Sequence, residues 1–205
     1  LRILYDGGDK LFVPVENIEV LSRYGAEDAV VQLDRLGGAA WQSRKARIKQ
    51  RLREIAHQLI RIAAERQVRP GEVMAPPEGI YDEFCARFPY AETEDQTRAI
   101  EEVQGDLAAG RPMDRLICGD VGFGKTEVAL RAAFVAVSAG YQVAVVTPTT
   151  LLCRQHFKTF GERFAGLPMR LAQLSRLVNA RDAAEIRRDV AAGKVDIVIG
   201  THALL

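Results

Sequence analysis

Gly119-Asp120-Val121-Gly122-Phe123-Gly124-Lys125-Thr126, GDVGFGKT, fits the pattern G-x-x-x-x-G-K-[ST] in full. Glycines at this spacing let successive backbone N–H groups curl around a phosphate without side-chain collisions. A helix that starts directly afterwards turns its positive end toward the same charge. Lys125 is then placed to reach β- and γ-phosphate oxygens, and Thr126 to offer its hydroxyl to a bridging Mg²⁺. These two are the catalytic candidates. Gly119, Asp120, Val121, Gly122, Phe123, Gly124, Lys125, Thr126 and Glu127 form the expected triphosphate-binding set. The flanks fit the required context: Arg115-Leu116-Ile117-Cys118 is a short apolar run that reads as a strand, with Cys118 buried in it. Glu127 to Ser138 is rich in alanine, valine and leucine and holds no helix breaker. The ordinary alternative is a glycine-rich strand-to-helix turn carrying an exposed lysine.

Beyond this stretch one unit repeats. Gln142 to Thr147 reads as an apolar strand, Leu151 to Phe164 as a helix, Arg170 to Ser175 as a strand, Ala180 to Ala192 as a helix and Val195 to Ile199 as a strand. Such alternation predicts a parallel sheet with its ligand loops at the carboxyl ends of the strands. Gly119–Thr126, Pro148-Thr149-Thr150 and Gly200-Thr201-His202 should then share one edge. Threonines at a helix start can hold a nucleic-acid phosphate, but they are also ordinary helix caps, and Gly200-Thr201-His202 alone reads as a polar turn.

Upstream, Thr93-Glu94-Asp95-Gln96 has two readings. Thr93 and Gln96 match a capping box at the start of a helix running through Leu107. Gln96 also carries the carboxamide that pairs with the N6 and N7 edge of adenine, with an aromatic of Phe88-Pro89-Tyr90 nearby to stack on the base. Spacing leaves both open. Val68 to Gly79, with Pro70-Gly71 and Pro76-Pro77, reads as a linker. Before it, Ile48, Leu52, Ile55, Leu59 and Ile62 draw one stripe on a helix from about Trp41 to Gln67. Arg44, Lys45, Arg47, Lys49, Arg51, Arg53, Arg61, Arg66 and Arg69 face only Glu54 and Glu65 there, which makes either a solvated basic face or a surface for nucleic acid or an acidic partner. Asp34 to Ala40, with Gly37-Gly38, breaks the chain ahead of that helix. At the front, Arg2–Tyr5 and Leu11–Val15 flank the turn residues Asp6–Asp9 as a hairpin, with Pro14 at an edge or bulge.

Composition narrows the class. Hydrophobic residues at 48%, charged residues at 27% and a net charge of +1 describe a soluble globular protein that does not coat nucleic acid by bulk charge. No apolar run is long enough for a membrane span and no signal pattern opens the chain. Cys85, Cys118 and Cys153 lack C-x-x-C spacing and read as cytosolic thiols, and His57, His156 and His202 lack metal-ligand spacing, so a cytoplasmic protein is expected. Starting at Leu1 and stopping after an apparent strand, the sequence reads as a piece of a longer chain.

The order of these elements resembles the first motor lobe of superfamily 2 helicases and translocases. Gln96 corresponds to the Q motif, Gly119–Thr126 to motif I, Pro148–Leu152 to motif Ia and Gly200–His202 to motif Ib. FPYAETEDQTRAIEEV, RPMDRLICGDVGFGKTEVALRAAF and VAVVTPTTLLCRQHF are similar to the bacterial transcription-repair coupling factors, the Mfd family; RecG helicases are the nearest alternative. LFVPVENIEVLSRY followed by LGGAAWQSRKARIK resembles the end of that family's polymerase-interacting, Tudor-like domain and the helix joining it to the motor.

The resemblance implies an α/β, RecA-like P-loop lobe over residues 81–205, a basic connecting helix and linker over 37–80, and part of the Tudor-like β domain over 1–36. It implies an ATP- and Mg²⁺-dependent translocase on double-stranded DNA that displaces stalled RNA polymerase and recruits excision repair through UvrA. Pro148, Thr149, Thr150, Gly200, Thr201 and His202 would hold DNA phosphates, and Gln96 would read adenine. A pattern of backbone contacts suits stepping on any sequence. One departure limits this: no apolar strand ends in an acidic pair, since Asp196 precedes its run, so the D-E-x-x motif is missing from the 205 residues. Nucleotide binding without efficient hydrolysis is the expectation for this stretch alone. A RecG-like fork helicase and a polymerase-binding module with an idle nucleotide loop are the alternatives.

Overall fold

The computed structural model describes residues 1–22, 33, 35–37 and 39–204; the parts of the predicted Asp34–Ala40 break that fall on Asp34 and Gly38 lie outside the described residues, as does Leu205. The chain divides into two compact units, Leu1–Glu65 and Arg66–Leu205.

In the first unit, β1 (Arg2–Leu4) pairs antiparallel with β2 (Lys10–Phe12) in the register Arg2↔Phe12, Ile3↔Leu11 and Leu4↔Lys10. Asp6–Gly8 forms a 3-10 turn between them, with Gly7 and Gly8 both at φ +84°. Glycine alone takes that conformation without a Cβ penalty. Val13 N–H donates to the Leu1 carbonyl at 2.9 Å and extends the pairing by one step, after which Pro14, with no N–H to give, leaves the ladder. Helix α1 spans Ala39–Val68. Its apolar stripe is present but uncovered: Ile48, Leu52 and Leu59 are 53%, 60% and 61% exposed. Arg61 Nε donates to Glu65 Oε1 at 2.8 Å along it, an i,i+4 pair of the kind that supports a solvated helix.

The second unit holds α2 (Ile80–Ala86), α3 (Glu94–Ala108), α4 (Lys125–Ser138), β3 (Val143–Val146), α5 (Thr150–Arg163), β4 (Leu171–Leu174), α6 (Ala180–Ala191) and β5 (Ile197–Gly200). The three strands form a parallel sheet in the order β3-β5-β4, with Val143 and Leu171 both opposite Ile197. The middle strand, Ile-Val-Ile-Gly, is buried along its whole length, as a continuous apolar run in a parallel sheet should be. Phe84, Leu130, Phe134, Phe160 and Phe164 pack with Ile197 and Ile199 in the main core, and the Phe84 and Phe134 rings stack at 4.3 Å. Ile100, Val103 and Leu107 of α3 pack with Val128 and Val135 of α4 in a second cluster. The α/β, RecA-like reading is thus the architecture found.

One expectation is corrected. Arg115–Cys118 forms no strand, Leu116 is 85% exposed, and Cys118 is exposed rather than buried. A strand exists through its ladder, and among the described residues the sheet pairs only β3, β5 and β4. The segment is held from the side instead. Arg115 bridges Glu102 and Asp106 of α3, its Nε lying 2.5 Å from Asp106 Oδ2, and the pairing holds the Asp106 carboxyl below its ordinary range.

Candidate nucleotide-binding site

Gly124, in the left-handed region at φ +76°, caps the start of α4, and Gly122 takes φ +86°. Both positions favour glycine, which takes this conformation without a Cβ penalty. The first N–H groups of a helix have no intrahelical acceptor, so those of Lys125 and Thr126 face the loop. Lys125 Nζ donates to the carbonyls of Gly119 at 2.6 Å and Asp120 at 2.7 Å, spanning the loop mouth. Phe123 N–H closes the turn on Asp120 O at 3.3 Å, which leaves Val121 and Phe123 99% and 65% exposed at its tip. Thr126 is half-buried. The donor set fits a triphosphate with its Mg²⁺: a cationic amine, free helix-start N–H groups and a hydroxyl, around glycines with no Cβ in the way. A cavity of about 770 Å³ opens beside it, lined by Thr93, Gln96, Gly119, Gly122, Phe123 and Lys125 among others.

Of the two expectations for Gln96, the cap is the one the structure displays. The capping box is complete: Thr93 N–H donates to Gln96 Oε1 at 3.0 Å, and Gln96 N–H to Thr93 Oγ1 at 3.3 Å. The other end of the carboxamide turns to the phosphate loop, Nε2 donating to Phe123 O at 3.0 Å. It lies so close to Gly124 that a Cβ there would collide with it. Phe88 and Tyr90 meet edge to face at 5.5 Å just upstream.

Glu127 has an internal partner set. Its side chain is 3% exposed, and Oε1 accepts from Arg131 Nε at 2.9 Å and Arg163 Nη2 at 2.6 Å. Arg131 also donates to Glu92, and Arg163 Nη1 to Phe84 O at 3.0 Å. Burial alone would lower the Arg131 pKa, but the hydrogen bonds it donates to Glu92 and Glu127 raise it above the ordinary guanidinium value. The Arg131 hydrogen bond holds the Glu92 carboxyl below its usual range. Arg163 Nε is the one buried side-chain polar atom without a partner among the described residues, and that guanidinium sits 4.6 Å from the Phe84 ring centroid. Glu92, Arg131 and Arg163 were not anticipated from the sequence. The available signal was Glu127 and Arg131, an i,i+4 pair of opposite charges inside an otherwise apolar helix.

The two other loops meet each other. Thr147 N–H donates to Gly200 O at 2.8 Å, and Thr147 Oγ1 lies 3.2 Å from the carbonyls of both Thr149 and Gly200. Pro148 stands between them, Thr150 is the first residue of α5, and Thr149 Oγ1 caps that helix by accepting from Leu152 N–H at 3.2 Å. Gly200 has no room for a Cβ, which would run into Leu174 O and the Leu204 side chain. Thr201 N–H is held by Leu174 O at 3.2 Å, and exposed His202 opens the 3-10 turn His202–Leu204. Pro148–Thr150 and Gly200–His202 thus lie side by side at the carboxyl ends of paired strands.

A G-x-x-x-x-G-K-[ST] loop opening a helix beside a parallel sheet is the arrangement of P-loop nucleotide-binding proteins. The chain belongs to the DEAD/DEAH box helicase family, whose model matches residues 93–205. It is similar over its whole length to transcription-repair-coupling factors: 51% identical in Rickettsia bellii (strain RML369-C), 53% in Rickettsia typhi (strain ATCC VR-144 / Wilmington) and 47% in Bacillus subtilis (strain 168). It spans 18% of the length of each of these relatives. The solved structure of RecG bound to a three-way DNA junction superimposes with a TM-score of 0.65 at 34% identity, covering 70% of this chain and 20% of that one. Among the described residues no helix is long and apolar enough to cross a membrane.

Proposed function

We propose that this chain is the nucleotide-binding part of the first motor lobe of a cytoplasmic, ATP-dependent double-stranded DNA translocase that displaces stalled RNA polymerase and couples transcription to excision repair. The observation that carries the reading is the phosphate loop with Gln96 set against it, Lys125 spanning its mouth and Gln96 Nε2 3.0 Å from Phe123 O. Lys125 and Thr126 act on the phosphates and Mg²⁺, Gly119–Gly124 cradle them, and Gln96 exchanges its internal bonds for the adenine edge. Glu127 serves the same site from behind, since its carboxylate is committed to arginines.

The loops Pro148–Thr150 and Gly200–His202 offer phosphate contacts to one DNA strand, sequence-blind as a translocase requires. Residues 1–36 belong to the polymerase-contacting β domain and 37–80 to the connecting helix and linker, with UvrA reached through other parts of the full-length protein. The relatives' shared name joins transcription to repair, which favours this assignment. A fork-acting, RecG-like helicase is the second reading, favoured by the similarity to the junction-bound structure.

The test is DNA-stimulated ATP hydrolysis and removal of a stalled polymerase by the full-length protein. Both should disappear with Lys125→Ala. Hydrolysis that responds to forked DNA, with no effect on a stalled polymerase, would favour the second reading.

A further inference from the structure

Glu127 stands one residue after Thr126, and the charges around it make a circuit that returns to the phosphate loop. From Glu127 the circuit passes to Arg131, whose side chain is 9% exposed, and from Arg131 to Glu92, whose side chain is 32% exposed. Glu92 directly precedes Thr93, whose capping box fixes Gln96, and Gln96 closes the circuit on Phe123 O at 3.0 Å. The Phe88 ring lies 6.0 Å from the Arg131 guanidinium and 5.8 Å from that of Arg163, which joins the aromatic segment to the same frame.

Desolvation offsets much of the attraction in buried ion pairs, so net stability is a weak explanation for this one. What it supplies is geometry: a two-armed guanidinium fixes the separation and angle of two carboxylates, as a flexible ammonium does not. We infer that Arg131 is a positioning residue, bridging Glu127 and Glu92 so that the base-reading turn Thr93–Gln96 and the phosphate cradle are presented to one nucleotide as a single rigid frame. The inference rests on the nucleotide reading given above. It separates two contributions to binding, because the phosphates need only the loop whereas the base needs the loop and the turn in register.

The experiment compares ATP with inorganic tripolyphosphate, both with Mg²⁺, titrated into the full-length protein and its Glu92→Gln, Arg131→Lys and Lys125→Ala variants. Glu92→Gln should weaken ATP binding about tenfold and leave tripolyphosphate binding within about twofold of the parent. Arg131→Lys should give the same pattern, since it keeps the charge and loses the fork. If Arg131→Lys does not fold, Glu92→Gln carries the test, its partly exposed site making it the milder change. An equal loss for both ligands would make the network merely structural and overturn the inference, as would unchanged ATP affinity in Glu92→Gln. ATP binding that is absent in the parent or indifferent to Lys125→Ala would overturn the nucleotide reading and the inference with it. Binding lost in Lys125→Ala but intact in Glu92→Gln would overturn the inference alone.

Discussion

The two sides of the phosphate loop are built from opposite materials. Ahead of Gly124 the chain is irregular and uncovered, with Leu116 85% and Val121 99% exposed. Behind it α4 sinks into the core, with Glu127 3%, Val128 4%, Leu130 2% and Phe134 0% exposed. A loop that must close on a ligand cannot also be filled by its own side chains, and a cradle that must hold its shape needs a fixed back wall. Substitutions behind the loop should therefore cost stability, and substitutions in front should cost binding.

The largest stability effect should come from Glu127→Ala. Removing this member of a buried ion network takes the carboxylate from Arg163 and leaves Arg131 with Glu92 alone, a loss of about 3–5 kcal/mol in denaturant unfolding. A loss near zero would mean the back wall is not what holds the loop. Gly124→Ala tests the seam, where a side chain must adopt φ +76° and meet Gln96. It should cost about 1–2 kcal/mol, and should also weaken nucleotide binding because the carboxamide is displaced.

Acid should loosen both sides, the back through Glu92 paired with Arg131 and the front through Asp106 paired with Arg115. Glu92 and Asp106 are both held below their ordinary range by arginines. A depressed carboxylate contributes stability that is present above its unfolded pKa and is lost as pH falls through its folded one. The melting temperature should therefore stay level down to about pH 5 and fall below about pH 4. Glu92→Gln should flatten that acid limb, and an unchanged limb would remove Glu92 from the account. The smallest effect belongs to the front: Leu116→Ser should shift stability by no more than about 0.5 kcal/mol. A larger loss would show that Arg115–Cys118 is packed in solution.

The contrast also explains what the residues revealed in advance. Local signals were legible. The capping box of α3, the glycine pattern of the loop and the alternation from β3 to β5 each depend on residues a few positions apart, and they reappear within a residue or two of the expected bounds. Non-local features were not. Arg115–Cys118 has strand composition, but pairing requires a neighbouring strand at the right edge, which composition does not encode. The stripe from Ile48 to Ile62 marks one face of α1 without saying what covers it. The pairs Arg131–Glu127, Arg163–Glu127 and Arg131–Glu92 join residues 4, 36 and 39 positions apart, of which only the first separation has a helical signature.

The central claim is that Gly119–Thr126 is a phosphate cradle operated by Lys125, and its most direct test is calorimetric titration of Mg²⁺–ATP into the full-length protein and its Lys125→Ala variant. The account predicts saturable binding in the parent, and loss of that binding in the variant with an unchanged melting temperature, because the Lys125 side chain is exposed and its bonds run to the loop carbonyls of Gly119 and Asp120. Equal binding by the two proteins, or no binding by either, would contradict it.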